Sequence, residues 1–317
     1  MPAVSLVVIS YEMTRELPRT LLSLSPSHQG LDGCDYEIIL VDNASTDDSL
    51  SWARSLATNA LAPLRIIANA VNVGFAKANN QAFAQSRSAA ILLLNPDAEV
   101  TAGAIDRLLT TVCDDPRTAA CAPRLLNPDG SLQPSVWANP LTPLHIMVSA
   151  LGLWRILPRG LRGRLLFGDH WLHDSLREVP VAFGAALMVK RSIIDEVGGL
   201  DERFEMFSED SEWCLRVRRA GGIILFDPRA IVTHHGGSFA VARWGHLGTV
   251  RVKTESYLLL QRITLSPLHR VANVVTLILV TIVRLLQQRL RGGRAEEARM
   301  RLKLYTADLA RGFRFRP

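Results

Sequence analysis

The chain opens on Val4-Ser5-Leu6-Val7-Val8-Ile9, an apolar and β-branched run. A run of that length reads as a buried strand. Tyr36-Glu37-Ile38-Ile39-Leu40, Leu64-Arg65-Ile66-Ile67 and Ala89-Ala90-Ile91-Leu92-Leu93-Leu94 repeat the pattern. Helix signals lie between them. Leu17, Leu21, Leu22 and Leu24 suggest one helix, Ser49–Thr58 a second. Over Gly74–Ser86, the residues Phe75, Ala78, Ala82 and Phe83 share one side of a third. Strands alternating with helices predict an α/β fold, a mostly parallel sheet flanked by helices.

The pattern changes over 127–178, where Pro128, Pro134, Pro140, Pro143 and Pro158 are interspersed with Trp137, Trp154 and Trp171. That stretch reads as a long, partly mobile insertion over the site. Order resumes with a strand over Val179–Lys190, a helix near Arg191–Val197 and a helix from Ser208 to Ala220. Further on come Tyr257-Leu258-Leu259-Leu260 and an apolar stretch, Val271–Val283, between Arg270 and Arg284. Thirteen residues rise roughly 20 Å as a helix, short of the roughly 30 Å hydrocarbon core. The stretch is expected not to span a membrane alone. It fits a helix lying in the membrane interface or one packed on the main domain. The expected division is a main domain over 1–240 and a basic, partly apolar helical tail over 241–317.

Charge sharpens that division. Residues 241–317 hold 15 Lys+Arg against 4 Asp+Glu, net +11, while residues 1–240 hold 21 against 26, net −5. Such a tail seeks an anionic partner. Nucleic acid is not expected, because the tail lacks aromatic interleaving or a recognised module. Cys34, Cys113, Cys121 and Cys214 show no metal spacing, so reduced thiols in a cytosolic protein are the simplest account. His170 and His173 find no third ligand and read as surface loop residues. No charged n-region precedes a cleavable apolar segment, so no signal peptide is expected.

Candidate chemistry sits where the strands end. Asp42-Asn43 leaves the second strand at its carboxyl end, where open α/β sheets bind ligands. Ser45, Thr46, Asp47 and Asp48 suit the cap and first turn of the next helix. Asn72-Val73-Gly74-Phe75 precedes a helix, and Gly74 permits close backbone approach or a positive φ. Asn95-Pro96-Asp97-Ala98-Glu99 follows the fourth strand, with carboxylates suited to a hard cation. Phe183-Gly184-Ala185-Ala186 is a small-residue segment. In Ser208-Glu209-Asp210-Ser211-Glu212-Trp213, Ser208 is placed to cap a helix whose macrodipole favours ionised Glu209 and Asp210. Val232-Thr233-His234-His235-Gly236-Gly237-Ser238 ends in a loop suited to phosphates.

These motifs, in this order, resemble the nucleotide-sugar-dependent, inverting glycosyltransferases of family 2 with the GT-A fold. The similarity runs from about residue 3 to 240 and is closest to the rhamnosyltransferase-like branch that extends lipid-linked glycans. The resemblance implies that Ser10 and Tyr11 border the nucleotide base and that Asp42 accepts its N3–H, which fits uracil or thymine and excludes cytosine. It places Asn72 and Gly74 near the nucleotide and Gly184 beside the sugar. Asn95 and Asp97 stand at the diphosphate, with Asn95 where the family more often has an acid. Asp97 and His234 would hold Mg²⁺ or Mn²⁺, with His235 in reserve. Asp210 would be the base, with Glu209 beside it. The implied reaction moves rhamnose or another hexose from a dTDP- or UDP-sugar to a glycan or polyprenyl-linked acceptor, in cell-envelope polysaccharide synthesis at the inner face of the cytoplasmic membrane. A sugar-1-phosphate nucleotidyltransferase would need a glycine-rich loop after strand one, and a dinucleotide oxidoreductase Gly-x-Gly-x-x-Gly; residues 9–20 contain no glycine. A non-catalytic glycan-binding protein on this fold would have no use for Asp97 and Asp210 together.

Overall fold

The computed structural model describes residues 3–29, 36–57, 63–137, 142–150, 152–158, 162, 171–236, 238–290 and 295–312. Cys34 and His170 lie outside them. Contacts divide the chain into two units. The first is Met1–Trp137, Leu172–Arg203 and Asp210–Gly236; the second is Ala138–Trp171, Phe204–Glu209 and Gly237–Pro317.

The first unit is built on strands β1 (Val4–Ser10), β2 (Tyr36–Asp42), β3 (Leu64–Ala68), β4 (Ala90–Leu94), β5 (Ala98–Val100) and β6 (Thr118–Leu126). It continues with β7 (Leu132–Gln133), β8 (Val136–Trp137), β9 (Arg177–Glu178), β10 (Val181–Ala182), β11 (Ala186–Lys190) and β12 (Ile223–His234). The main sheet runs β3-β2-β1-β4-β11-β6-β12-β5. Strands β3, β2, β1 and β4 pair in parallel. Their residues are buried on both faces in β1 and β4, which explains continuous apolar runs in place of alternation. Beyond β4 the sheet turns mixed, because β11 lies antiparallel to both β4 and β6.

The chain order reverses between β1 and β4, and the carboxyl ends of strands at such a switch point are where open α/β sheets bind ligands. Ser10 pairs with Asp42 in register there, and Asn95-Pro96-Asp97 leaves β4 at the same edge. Strand β12 bulges between Asp227 and Ile231, where Pro228 has no N–H to give the ladder.

Helices α1 (Leu17–Ser23), α2 (Pro26–Gln29), α3 (Ser49–Ala57), α4 (Phe75–Gln85) and α5 (Ala104–Asp114) join the early strands. The order continues with α6 (Pro143–Ala150), α7 (Arg191–Val197), α8 (Glu209–Arg219), α9 (Ser238–Thr264), α10 (Pro267–Leu290) and α11 (Glu296–Gly312). Gly74 enters α4 at φ 87, a conformation open to glycine.

Four local expectations are corrected. Ser45–Asp48 do not form the first turn of α3, which starts at Ser49; Ser45 and Thr46 instead bond Glu12. Val179–Lys190 is not one strand but β10 and β11, broken at Phe183-Gly184-Ala185 because Gly184 turns its N–H onto a side chain. His173 is not a surface residue; it is fully buried, its ring edge-on to Phe226 at 5.3 Å. The apolar stretch Val271–Val283 is only the middle of α10, whose 24 residues rise about 36 Å. Residues Pro267–Gln288 are therefore long and apolar enough to cross a membrane.

In the second unit Leu258, Val274 and Tyr305 form a buried cluster, joined by Leu277, Ile278, Leu304 and Leu309. Asp308 is fully buried and paired with two arginines: Arg262 Nε donates to Oδ1 at 2.8 Å and Arg270 Nη2 to Oδ2 at 2.9 Å. Gly245, at φ 66 and ψ 174, breaks α9 in two.

Candidate functional site

Two loops lace together at the ends of β1 and β2. Glu12 Oε1 accepts the Thr46 N–H at 2.8 Å and its hydroxyl at 3.0 Å. Met13 N–H donates to Ser49 Oγ at 2.9 Å and Thr14 N–H to Asp47 Oδ2 at 3.0 Å. Glu12 and Ala44 take positive φ, 55 and 67, a strain of the kind that marks shaped sites. Between these loops lies Asp42, 2% exposed. Its Oδ2 accepts the Ser45 N–H at 3.2 Å, while Oδ1 is buried without a hydrogen-bond partner, as is Ser10 Oγ. A buried carboxylate oxygen left unpaired is costly, so the spot fits a ligand that brings its own N–H. Tyr11, next in the chain after Ser10, is half-buried.

Asn43 is the hub of this corner. Its Oδ1 accepts from Val73 N at 2.9 Å and Asn69 Nδ2 at 3.2 Å. Its Nδ2 donates to Asn72 Oδ1 at 3.0 Å and, more weakly, to Gly74 O at 3.4 Å. Asn72 Oδ1 also accepts the Gly74 N–H at 3.0 Å. The 69–74 loop is thus held against the end of β2.

A second cluster lies at the end of β4. Asp97 Oδ1 is 3.3 Å from His234 Nε2, and Oδ2 accepts the Gly236 N–H at 3.0 Å. Burial alone would push the Asp97 carboxyl up; the His234 bond and charge and the Gly236 N–H outweigh it and hold it below the usual carboxylate range. Asn95 Nδ2 lies 3.1 Å from His234 Nε2. Gln133 Oε1 takes the other ring nitrogen, Nδ1, at 2.6 Å. Gln133 is itself fixed, because its Nε2 donates to Asn127 Oδ1 at 2.8 Å and His234 O at 3.2 Å. The amide oxygen must therefore face Nδ1, which places a proton on Nδ1, while Nε2 faces Asn95 and Asp97. His235 turns away to Glu99, Nε2 to Oε1 at 2.7 Å.

No group of three or more His, Cys, Asp or Glu side chains able to hold a metal occurs among the described residues. Asp97, His234 and the Asn95 amide nevertheless converge. That donor set fits a hard cation that takes its remaining ligands from phosphates and water, the usual habit of Mg²⁺.

The third cluster surrounds Asp210. Its Oδ2 accepts the Gly184 N–H at 3.0 Å and its Oδ1 the Ser211 N–H at 2.6 Å. The expectation that the helix dipole keeps this carboxyl readily ionised is corrected: desolvation by burial raises its pKa, outweighing those hydrogen bonds. Phe207 and Ser208, both at φ 69, precede α8 in the left-handed region, whereas a serine N-cap has extended backbone. Glu209 is buried.

The second and third clusters meet at the break between β10 and β11. Phe183 packs edge-on against the His234 ring at 5.9 Å. Gly184 donates to Asp210. Ala185 O accepts the Asn95 N–H at 2.9 Å. Three successive residues thus connect Asp210 with His234 and Asn95, the two neighbours of Asp97. The loop after α7 is tied in as well. Asn80, on α4, donates to Leu200 O and accepts from Leu200 N, both at 2.9 Å. Arg216 grips the carbonyls of Val197 and Gly199 at 2.5 and 2.7 Å.

Sequence reasoning noted Asn43 beside Asp42 without a role of its own and assigned nothing to Gln133 or Glu12. Asn43 adjoins Asp42, so its place at a strand end was a usable signal. Gln133 sits in a two-residue strand inside a proline-rich stretch and offered none.

Strand order, a carboxylate at the end of β2 and an Asn-Pro-Asp turn after β4 together define the GT-A class of nucleotide-sugar-dependent glycosyltransferases. The chain belongs to glycosyl transferase family 2, whose model matches residues 5–165. It is 31% identical over 241 residues to N-acetylglucosaminyl-diphospho-decaprenol L-rhamnosyltransferase of Mycobacterium tuberculosis, covering 72% of this chain and 75% of that protein. It is 26% identical over 219 residues to the low-salt glycan biosynthesis hexosyltransferase Agl10 of Haloferax volcanii, covering 68% and 61%. Two solved structures share the fold. The mannosyltransferase PcManGT of Pyrobaculum calidifontis, in complex with GDP-Man and Mn²⁺, superimposes with a TM-score of 0.53 at 15% identity, over 98% of this chain and 86% of that one. GalNAc-T7 with UDP, GalNAc and Mn²⁺ gives 0.52 at 17%, over 73% of this chain and 42% of that one.

Proposed function

We propose that the protein transfers rhamnose, or another hexose, from a dTDP- or UDP-sugar to a hydroxyl of a lipid-linked glycan, inverting the anomeric configuration. The setting is cell-envelope polysaccharide synthesis at the inner face of the cytoplasmic membrane. The segment Phe183–Ala185 carries this reading, because it bonds or packs against the groups around both Asp97 and Asp210. The unpaired Asp42 Oδ1 supports a base with an N3–H, hence uracil or thymine. The names of the Mycobacterium and Haloferax relatives support a hexosyl donor, and the former a polyprenyl-linked acceptor.

Asp210 takes the proton from the acceptor hydroxyl as that oxygen attacks the anomeric carbon. Its desolvated carboxyl is the more basic for it. The bond from anomeric carbon to the diphosphate oxygen breaks, and the nucleoside diphosphate leaves with that electron pair. One displacement gives one inversion. Asp97, His234 and Asn95 would hold Mg²⁺ or Mn²⁺. The cation, when bound, supplies positive charge opposite the leaving diphosphate. Gly236 N–H keeps Asp97 ionised and oriented.

A panel of dTDP- and UDP-sugars, with Mg²⁺ or Mn²⁺ and a short synthetic polyprenyl-diphosphate glycan, tests the reading. Release of nucleoside diphosphate and an inverted glycosidic bond by NMR are expected. Absence of release from every donor, or a product that keeps the donor's anomeric configuration, would refute it.

A further inference from the structure

Helix α10 is apolar on two faces. The inner face places Val274, Leu277 and Ile278 in the cluster with Leu258 and Tyr305. The outer face shows Leu268, Val275, Leu279, Ile282, Val283 and Leu286 to solvent, 38% to 78% exposed. At about 100° per residue these six fall within an arc of roughly 100°, along roughly 27 Å of helix. No charged residue occurs between Arg270 and Arg284. A continuous uncharged apolar stripe of that length marks a docking surface.

Charge selects the occupant. From Arg284 to the C-terminus the sequence holds 10 Lys+Arg against 3 Asp+Glu. One of those acids, Asp308, is already neutralised by Arg262 and Arg270. Two copies pressed stripe to stripe would bring two strongly basic tails together, which is repulsive. Anionic headgroups reverse the sign of that interaction. Length alone would let α10 cross a bilayer, but its packing partners oppose this. Helices α9 and α11 carry the Arg262–Asp308 pair and the exposed Arg299, Lys303 and Arg311. Taking those charges into hydrocarbon is prohibitive.

We propose that α10 lies in the plane of an anionic phospholipid surface, its outer stripe in the acyl boundary and the arginines beyond Arg284 on the headgroups. The polar side that an interfacial helix normally carries itself is supplied here by α9 and α11. The inference rests on the proposed lipid-linked acceptor for the choice of a bilayer as partner, and it names the face that meets it.

The test is flotation of the full-length protein with vesicles of phosphatidylcholine alone or with about 30% phosphatidylglycerol. Wild type is expected to float with the anionic vesicles and to be released by high salt. The double substitution Leu279→Glu, Leu286→Glu is expected to lower that partition by about tenfold or more, with an unchanged circular dichroism spectrum. The milder pair Leu279→Ser, Leu286→Ser should give a smaller loss of the same sign. Undiminished flotation of both variants would overturn the proposal. So would wild type failing to float while forming a dimer, by light scattering, that the substitutions split. Transfer to a water-soluble acceptor glycan is expected to be equal in wild type and variants. If that transfer is absent in all of them while flotation behaves as expected, the proposed reaction falls and the docking face stands.

Discussion

Replacing Asn43 with alanine removes four hydrogen bonds from one corner of the site. Three are well formed, with Val73 N, Asn69 Nδ2 and Asn72 Oδ1 at 2.9 to 3.2 Å, and the contact with Gly74 O at 3.4 Å is weak. Asn43 is 3% exposed, so water does not replace them freely. At about 1 kcal/mol per bond the expected loss is about 3 kcal/mol. Asn69 retains its reciprocal pair with Gln81, which limits the damage. Asn43→Asp separates the two halves of the amide. It keeps the acceptor facing Val73, but sets a second oxygen against Asn72 Oδ1 and Gly74 O. Asn72 cannot turn over to donate without releasing the Gly74 N–H. The aspartate is therefore also destabilised, by less than the alanine. Urea unfolding measures the stability, and calorimetric titration with UDP or dTDP measures the site. A loss below about 1 kcal/mol together with unaltered nucleotide affinity would show that Asn43 does not organise the 69–74 loop.

Asp210→Asn is expected to abolish most transfer while leaving donor affinity within a few-fold, as kinetics and titration would show. Because burial raises the Asp210 pKa above its ordinary 3.8, the acidic limb of the wild-type rate profile should lie above the usual carboxylate range. The same shift has a stability sign. The carboxyl favours folding while protonated and loses that contribution as pH rises from 3.8 through the raised value. Asp210→Asn should therefore melt higher than wild type at neutral pH, with the gap closing on acidification. Gln133→Leu removes the partner that holds the proton on His234 Nδ1. Mn²⁺ affinity is expected to fall about tenfold, with the Nε2–H tautomer appearing in ¹⁵N NMR; Gln133→Glu, which keeps an acceptor, should retain the native tautomer. Gly199→Ala would drive a Cβ into Asn80 Oδ1 and break both bonds to Leu200, costing about 2 kcal/mol by denaturation.

The parallel half of the sheet was legible because β1, β2 and β4 are buried on both faces and so carry unbroken apolar runs. Asp42, Asp97 and Asp210 were legible because each stands where a run of regular structure begins or ends. Gln133 and Asn80 were not, since their roles depend on partners 101 and 120 residues away. Glu12 carries no sequence signal either, because the residue that donates to it, Thr46, lies 34 residues on. The break at Gly184 was hidden by a segment apolar enough to pass as one strand. The extent of α10 was hidden for the opposite reason: His269, Arg270, Arg284, Gln287 and Gln288 flank its apolar centre without interrupting the helix.

The amide of Asn80 fastens α4, which follows the 69–74 loop, to the loop that runs from α7 toward α8. Recombining halves of related enzymes to change sugar or acceptor would cut across that staple. A chimera that takes residues up to about 100 from one parent and the remainder from another inherits Asn80 and its glycine neighbour separately. Selecting parents by this pair, more than by overall likeness, is the practical rule for swapping specificity in such chains.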